Sequence, residues 1–393
     1  MTLTKKVAFY ASVICLIIPR TTYGVPNHTN ESPPNINAKG AVLVEANSMR
    51  ILWERNAEIP LPMASTTKIM TCIMALEKGN LEDIVVASKR AAAAPKVKLF
   101  LKPGEKQTLE DLLYALMLQS SNDAAVAIAE HIGGSVEEFC ELMTQRAREL
   151  GAKATVFKTA NGLDAPGHVS SPYDLALMAK HAFENPQFLE IIATPARNIP
   201  SKPLEGSHPH ALQNKNQFLH SYQGANGIKT GYTGLAGHCF VGAAKKEDMQ
   251  LFAVVLASGW GAAGRSQKYT DTIRLMEYGF KNYKIVHLKQ AMDEAGTIPV
   301  VKGEEGFVKL AYGESFSLPL TTTEKEQVSI LVEIPEDIQA PVRSHQPIGK
   351  AQIFIEDSLV GTLPIIATAD VEKRTIRRSL QKAINQWIDL LYQ

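Results

Sequence analysis

The sequence has little cysteine, no excess of either charge and no apolar run long enough to cross a membrane. Of its 393 residues four are cysteines, and 41 basic residues are balanced by 40 acidic ones, for a net charge of +1 at pH 7. Because there is no surplus of positive charge, nothing in the composition indicates a nucleic-acid partner. The chain is too long for one typical domain and long enough for two globular units.

The cysteines exclude a fully paired disulfide framework. Cys15 lies in an N-terminal apolar stretch, which leaves Cys72, Cys140 and Cys239, an odd number. One disulfide bond is compatible with three cysteines, but the sequence favours three buried thiols, because free cysteine is among the most buried residue types. None of the cysteines has metal-ligand spacing. We predict neither a metal site nor a cofactor.

The first 24 residues have the pattern of a secretory signal. Lys5 and Lys6 precede an apolar stretch, residues 7–18, and we expect cleavage after Gly24. The stretch is short for a hydrocarbon core of about 30 Å, so an uncleaved membrane anchor is the less favoured alternative. The sequence therefore predicts an exported protein.

Three patterns follow along the chain. Residues 25–37 are polar and proline-rich and predict a flexible leader. Residues 38–284 have strand patterns at both ends and helix patterns between them, which predicts one mixed sheet covered by helices, with a mostly helical insert. Residues 285–370 contain short β-type runs separated by turns and predict a small β-sandwich.

Several elements of residues 38–284 can be placed individually. The predicted strands are residues 41–45, 49–54, 238–244 and 251–258, the first two forming a hairpin. Helices are predicted to begin near Ser65 and at the caps Thr108, Ser135 and Ser171. A further helix is predicted over residues 265–280.

The last segment, residues 371–393, has the pattern of an amphipathic helix. Its apolar face would carry Ile376, Leu380, Ala383, Ile384, Trp387 and Leu391, and its basic start would carry Lys373, Arg374, Arg377, Arg378 and Lys382. Such a helix at a chain end is typical of a membrane surface, where cations meet anionic head groups. Packing against its own domain is the alternative, because core-facing helices have the same periodicity.

Ser65-Thr-Thr-Lys68 is the first of three motifs that can carry chemistry. A serine hydroxyl is a poor nucleophile without a base, and a lysine serves as that base only if burial or other cations lower its pKa. A spacing of three at a helix start puts both side chains on one face, and the first N–H groups of the helix favour a developing oxyanion. Alone, the motif is weak, because a helix-capping serine explains it equally well.

The other two motifs follow in order. Ser120-Ser-Asn122 lies in a break between two predicted helices, where a hydroxyl can relay a proton and an amide can hold a peptide group. Residues 227–233 alternate as a strand whose glycines allow close backbone approach, and there Lys229 and Thr230 would meet a carboxylate. A cap-rich turn and a surface lysine explain each motif alone, but the three in order favour an active site.

In this order the motifs resemble the active site of low-molecular-mass penicillin-binding proteins, the serine-type D-alanyl-D-alanine carboxypeptidases. Further matching stretches are Phe100-Leu-Lys-Pro-Gly104, Asn161-Gly-Leu-Asp164, Ser171-Pro-Tyr-Asp174 and Ala236-Gly237. The resemblance implies an α/β catalytic domain of the β-lactamase/transpeptidase-like type, with an antiparallel sheet covered by helices and a helical insert. It also implies a small all-β sandwich domain and a C-terminal amphipathic helix.

The resemblance further implies the roles of the reacting groups. Ser65 would form an acyl-enzyme with the penultimate D-alanine of a peptidoglycan stem peptide, and Lys68 would accept its proton. Ser120 would assist proton transfer, and the backbone N–H groups of Ser65 and Tyr232 would hold the oxyanion. β-Lactams would acylate Ser65 as substrate mimics.

Substrate binding is assigned in the same way. Asn122 would hold the peptide group, and Lys229, Thr230 and Arg265 would face the terminal carboxylate of a stem peptide ending in D-Ala-D-Ala. The enzyme would take part in cell-wall synthesis and remodelling from the periplasmic or extracytoplasmic face of the cytoplasmic membrane, peripherally attached through its C-terminal helix.

Two positions depart from the family pattern. Ser121 stands where close relatives usually carry glycine. Lys215 falls near an arginine that helps to orient substrate in well-known members. A lysine loses bidentate carboxylate geometry, so this departure affects catalytic efficiency more than reaction type.

Two alternatives stay open at this point. A serine β-lactamase shares the three motifs, but class A enzymes use a glutamate-held water, and residues 155–175 contain no glutamate. A catalytically weak relative acting as a structural or partner-binding protein of the envelope is the second alternative, and the intact motifs argue against it.

Overall fold

The structure is a computed structural model that describes residues 32–199 and 209–376, together with Leu380, Ile384, Trp387 and Ile388. The predicted signal, residues 1–24, lies outside the described residues, as does most of the predicted leader. Of the predicted C-terminal helix, Ala383, Leu391, Arg377, Arg378 and Lys382 also lie outside them.

Strands occur at both ends of the first unit and throughout the second. In chain order they are β1 (Gly40–Glu45), β2 (Ile51–Arg55), β3 (Ile84–Val86), β4 (Lys106–Thr108), β5 (Ala196–Ile199), β6 (His210–Gln213), β7 (Ala225–Thr233), β8 (Gly237–Lys246), β9 (Met249–Leu256), β10 (Lys284–Lys289), β11 (Glu294–Val301), β12 (Phe307–Tyr312), β13 (Phe316–Leu320), β14 (Val328–Glu333), β15 (Ile338–Gln339), β16 (Pro347–Ile355) and β17 (Ser358–Ala367).

Most of the described helices lie between β2 and β7, one follows β9, and one lies between β13 and β14. They are α1 (Lys68–Lys78), α2 (Lys89–Ala92), α3 (Leu109–Tyr114), α4 (Asn122–Gly133), α5 (Val136–Glu149), α6 (Pro172–Phe183), α7 (Pro186–Ala193), α8 (Phe218–Ser221), α9 (Gly261–Asn282) and α10 (Thr322–Glu326). A 3-10 turn, Ala64–Thr67, leads into α1, and a π-helical segment, Ala115–Gln119, continues α3.

A five-stranded antiparallel sheet organises the first unit, in the order β2-β1-β9-β8-β7. Its inner strands β1, β8 and β9 are buried on both faces, so successive side chains enter two different cores. In β1, Val42 and Val44 pack under the helical insert, whereas Ala41 and Leu43 pack against α9. The antiparallel sheet covered by helices, which the resemblance implies, is confirmed, whereas the mixed sheet predicted from the strand pattern is wrong, because all of its strand pairs are antiparallel. Strand β7 lies at the edge of the sheet.

The caps predicted for three helices are present. The side-chain oxygens of Thr108, Ser135 and Ser171 accept hydrogen bonds from backbone N–H groups at the starts of α3, α5 and α6. Each cap satisfies an N–H group that the helix itself cannot pair. Sequence alone therefore places the starts of these three helices of the insert.

The insert also contains elements that the sequence analysis missed. Two short antiparallel ribbons, β3 with β4 and β5 with β6, lie among its helices. Helix α9 begins at Gly261, four residues before the predicted start. The prediction missed these residues because Gly261 and Gly264, although both are helical, interrupt the apolar pattern. The early start brings the first turn of α9 next to β8.

The second unit is all-β, as predicted. A six-stranded sheet, in the order β14-β16-β17-β12-β11-β15, packs on the two-stranded sheet of β10 and β13. Arg50 joins the two units, because its guanidinium donates hydrogen bonds to the Pro319 carbonyl and to the buried carboxylate of Glu324. This contact ties the all-β unit to the start of β2, away from the three motifs.

The cysteines behave as predicted in the described part of the chain. Cys72, Cys140 and Cys239 are free and buried. Burial raises the pKa of all three thiols. Within the residues that the structure covers, no helix is both long and apolar enough to span a membrane.

Candidate active site

The nucleophile candidate lies in the turn that leads into α1. Ser65 occupies the 3-10 turn Ala64–Thr67, and its side chain is half-buried. The turn is fixed from inside, because the Thr66 hydroxyl donates to Met63 O at 2.6 Å and the Thr67 hydroxyl to Ala64 O at 2.8 Å. The Ser65 hydroxyl is thus carried by a buried, internally bonded backbone.

Lys68 places its amino group beside that hydroxyl. Its side chain has no exposed surface, and Nζ lies 3.0 Å from Ser65 Oγ. Nζ also donates to Asn122 Oδ1 at 2.8 Å and to the carbonyl oxygen of Asn161. Burial lowers the pKa of Lys68 well below its ordinary value, and the positive charge of Lys229 lowers it further, against the smaller opposing effect of Asp123.

Asn122 connects the second motif to the first. Its Nδ2 donates to Pro95 O at 3.1 Å and its backbone N–H donates to Val97 O at 2.7 Å. Both the side chain and the backbone of Asn122 are thus fixed. Because Pro95 O can only accept, Nδ2 must face it, and Oδ1 therefore faces Lys68. The predicted break is present at Ser120 and Ser121, between the π-helical segment and α4, but Asn122, which was predicted to lie in it, is the first residue of α4.

Ser120 sits in that break in a strained conformation. Its φ is +66°, a left-handed value that is uncommon for a residue other than glycine. Its hydroxyl is buried, and no described residue makes a hydrogen bond with it. The buried hydroxyl of Ser121, the residue that departs from the family pattern, likewise has no hydrogen-bond partner among the described residues.

The third motif runs along the edge strand against the nucleophile turn. A Cβ on Gly231 would lie 2.9 Å from the backbone nitrogen of Ser65, so only glycine lets β7 approach this closely. Lys229 is buried, and burial lowers its pKa to about 7, assisted by the charge of Lys215. All three motifs therefore converge on Ser65.

The remaining predicted residues line the outer part of the same edge. Thr230 is half-buried, Tyr232 is exposed, and Arg265 is exposed near the start of α9. His238 links these elements: its ring centroid is 4.3 Å from that of Tyr232, and its Nε2 is 3.0 Å from Gly261 O. The start of α9 is thereby attached beside the third motif.

Comparison with known proteins identifies the family to which the chain belongs. The family described as D-alanyl-D-alanine carboxypeptidase matches residues 27–259, more than half of the chain. The chain belongs to the D-alanyl-D-alanine carboxypeptidase family. The family of the C-terminal domain of penicillin-binding protein 5 matches residues 280–373.

Relatives of this carboxypeptidase are similar over most of their length. D-alanyl-D-alanine carboxypeptidase DacF of Bacillus subtilis is 32% identical over 89% of this chain and 90% of its own, and DacC of Escherichia coli is 30% identical over 86% of both. The crystal structure of penicillin-binding protein 5 from Haemophilus influenzae is 28% identical, has a TM-score of 0.74 and covers 87% of this chain and 100% of its own. These similarities do not favour the alternative of a serine β-lactamase.

Lys215, the second departure from the family pattern, lies next to the carboxypeptidase site. Its Nζ donates to the carbonyl oxygen of Gln119 at 3.2 Å, directly before Ser120. Partial burial lowers the pKa of Lys215, and its charge acts on Lys229. Lys215 and Lys229 therefore bring two basic side chains together, which suits a ligand that carries a carboxylate.

Sequence analysis assigned no role to the loop that faces Ser65 from the other side. The Asn161 carbonyl accepts from Lys68, and a Cβ on Gly162 (φ +82°) would lie 2.1 Å from Ala64 O. Asp164 accepts a 2.7 Å hydrogen bond from Thr233 at the end of β7. The dipeptide Asn161-Gly162 was the available sequence signal for this loop. It does not identify the contact with Lys68, because the contacting group is a backbone carbonyl, which every residue has.

The close approach of Gly162 to the nucleophile turn gives a first prediction. Gly162→Ala places a methyl group on Ala64 O and Ser65 Cα. We expect acylation by benzylpenicillin, followed by intact mass, to slow by at least about a hundredfold, because small displacements of a reacting group cost this much.

Gly151→Ala is the matched control. Gly151 also has a positive φ, +90°, but nothing lies within 4 Å of an added Cβ. Its substitution should cost about 1–2 kcal/mol of stability from backbone strain and leave the acylation rate unchanged. Equal slowing in the two variants would show that Gly162 acts only through backbone strain.

The proximity of two lysines gives a second prediction, on pH. If neutral Lys68 is the base, the acylation rate must rise with pH through the pKa of Lys68, which lies well below the ordinary lysine value. Lys229→Met removes a positive charge that lowers this pKa, so the rising part of the pH profile should move to higher pH. Lys245→Met, at an exposed position of β8, should leave the profile in place. An unmoved profile in Lys229→Met would contradict the coupling.

Proposed function

We propose that this serine-type D-alanyl-D-alanine carboxypeptidase uses Ser65 as its nucleophile and Lys68 as the base that activates it. The observation that carries the proposal is the contact between the buried Nζ of Lys68 and Ser65 Oγ, 3.0 Å apart. The substrate is a peptidoglycan stem peptide ending in D-Ala-D-Ala, and β-lactams react at the same serine.

The hydrogen bonds of Lys68 support its role as a proton acceptor. A neutral amine has two hydrogens and one lone pair. The oxygens of Asn122 and Asn161 can only accept, so they take the two hydrogens. The third neighbour, the Ser65 hydroxyl, can donate, and the lone pair is left to receive its proton.

In the acylation step, Ser65 Oγ attacks the carbonyl carbon of the penultimate D-alanine and its proton passes to Lys68. When the C–N bond breaks, the terminal D-alanine leaves as an amine that takes up this proton. Ser120 assists this proton transfer. Its hydroxyl is buried and has no hydrogen-bond partner among the described residues, which supports this role. Water then hydrolyses the ester and restores the hydroxyl of Ser65.

Other groups of the site bind the substrate and its transition state. The backbone N–H groups of Ser65 and Tyr232 hold the oxyanion, and the close approach of Gly231 to Ser65 supports this pairing. Asn122 orients the peptide group. Lys229 and Thr230, with Arg265 from α9, face the terminal carboxylate.

Ser65→Ala tests this assignment. We expect D-alanine release from a pentapeptide ending in D-Ala-D-Ala to fall by at least about a thousandfold, and the benzylpenicillin adduct to disappear from the intact mass, because no other group can form the ester. Ser135→Ala, which removes only the cap of α5, should cost about 1 kcal/mol of stability and retain both activities.

Three other results would contradict the proposal. Undiminished D-alanine release in Ser65→Ala would exclude Ser65 as the nucleophile. Rapid penicillin hydrolysis without a persistent adduct would indicate a β-lactamase. A folded wild-type protein with neither adduct nor product would indicate a non-catalytic role in the envelope.

We also propose that the carboxypeptidase is an extracytoplasmic enzyme attached to the membrane surface through residues 371–393. In the described part of this segment Ile376, Leu380, Ile384, Trp387 and Ile388 are helical, and all are exposed, Trp387 by 71%. Their spacings of three and four place them on one helical face. An exposed apolar face next to the cations Lys373 and Arg374 suits an anionic bilayer.

Vesicle sedimentation tests the attachment. The double variant Leu380→Glu with Trp387→Glu should lose most of the binding of the mature chain to vesicles of phosphatidylglycerol and phosphatidylcholine, because carboxylates would enter the acyl boundary. Phe307→Glu changes an equally exposed apolar residue in β12 and should bind like the wild type. Undiminished sedimentation of the double variant would contradict attachment through this face.

A further inference from the structure

The backbone directly before the nucleophile is strained. Ala64 has a φ of +49°, in the left-handed region that residues with a Cβ rarely occupy, and it is 1% exposed. Such a conformation persists only where neighbouring contacts enforce it. Because Ala64 directs the chain into Ser65, the contacts that enforce it also set the direction of the Ser65 hydroxyl and N–H.

A chain of two hydrogen bonds holds Ala64 in place from within the protein. The Thr67 hydroxyl donates to Ala64 O at 2.8 Å. Nε2 of His168 lies 2.9 Å from the same Thr67 oxygen, although the two residues are about a hundred positions apart in the sequence. The chain therefore runs from His168 through Thr67 to the strained residue.

The other nitrogen of His168 fixes the direction of this chain. The backbone N–H of Lys158 donates to His168 Nδ1 at 3.0 Å, so Nδ1 carries no proton. Nε2 then carries it and donates to Thr67, whose hydroxyl accepts this bond and donates its own proton to Ala64. Each group has one role, and no alternative orientation satisfies all three bonds.

The surroundings of His168 keep the ring neutral. It is 4% exposed and packs beside the ring of Phe157, at 6.1 Å between centroids. Burial lowers the pKa of His168 to about 4, with a smaller opposing effect of Asp164 and a further lowering by Lys68. At neutral pH the imidazole is therefore uncharged and keeps the tautomer that these hydrogen bonds require.

We propose that His168 is a positioning residue, which acts through Thr67 to hold Ala64 and thereby to aim Ser65 at the substrate carbonyl. The proposal rests on the proposed function, since acylation of Ser65 is the step that it supports. Neither His168 nor Thr67 touches the reacting atoms, so their loss should lower the rate of acylation and leave substrate binding nearly intact.

Two threonines of the same region provide a matched test. Thr67→Val removes the hydroxyl of the chain, and Thr71→Val removes another buried hydroxyl, which donates to Ala160 O at 2.7 Å but has no bond to the nucleophile turn. Thr67→Val loses the two buried hydrogen bonds of its hydroxyl, and Thr71→Val loses one. We expect Thr67→Val to lower the acylation rate constant for benzylpenicillin, and kcat for D-alanine release, by about ten- to a hundredfold with little change in KM, and Thr71→Val to lower stability only.

Substitutions of His168 complete the test. His168→Phe should match Thr67→Val, whereas His168→Gln should recover much of the rate, because an amide can accept from the Lys158 N–H and donate to Thr67. Equal rate losses in Thr67→Val and Thr71→Val, or no advantage of glutamine over phenylalanine, would overturn the proposal. Failure of the proposed function is distinguishable, because the wild-type protein would then form no adduct at Ser65.

Discussion

The burial of the Lys68 amino group is the constraint on which the rest of the site depends. A fully buried amine must be hydrogen-bonded, because an unsatisfied polar group in a protein interior costs several kcal/mol, roughly 2–7 by transfer experiments. Its partners come from three separate segments: the nucleophile turn, the start of α4 and the loop at Asn161. Satisfying one side chain therefore brings together the parts of the chain that the reaction needs.

The same burial costs folding free energy at the site. Lys229 is buried as well, and its positive charge lowers the affinity of Lys68 for a proton. Ala64 and Ser120 adopt left-handed conformations on either side of Lys68, and Gly162 and Gly231 press against the nucleophile turn. This strain is maintained by the packed helices and the sheet around it, which explains why a large rigid unit surrounds a small reacting group.

The sequence predicts the elements whose causes are local. Caps such as Ser135 and Ser171 mark helix starts, and apolar runs mark β8 and β9, because these signals act within a few residues. The three motifs could be found since each uses side chains. The Asn161 carbonyl, the left-handed Ala64 and the His168 chain could not, because they depend on backbone geometry and on contacts between distant segments. Lys215 was noted only as a departure, and its charge acts on Lys229 through space.

The central claim is that Lys68 is a neutral base beside Ser65 at neutral pH. It is tested most directly by a carbon-13 NMR titration of the lysine ε-carbons in the wild-type protein, with the Lys68 signal assigned by its loss in Lys68→Met. The account predicts that this signal titrates well below the ordinary lysine pKa of about 10.4. A Lys68 signal that titrates together with the exposed lysines would show that the residue is protonated at neutral pH, and would contradict the account.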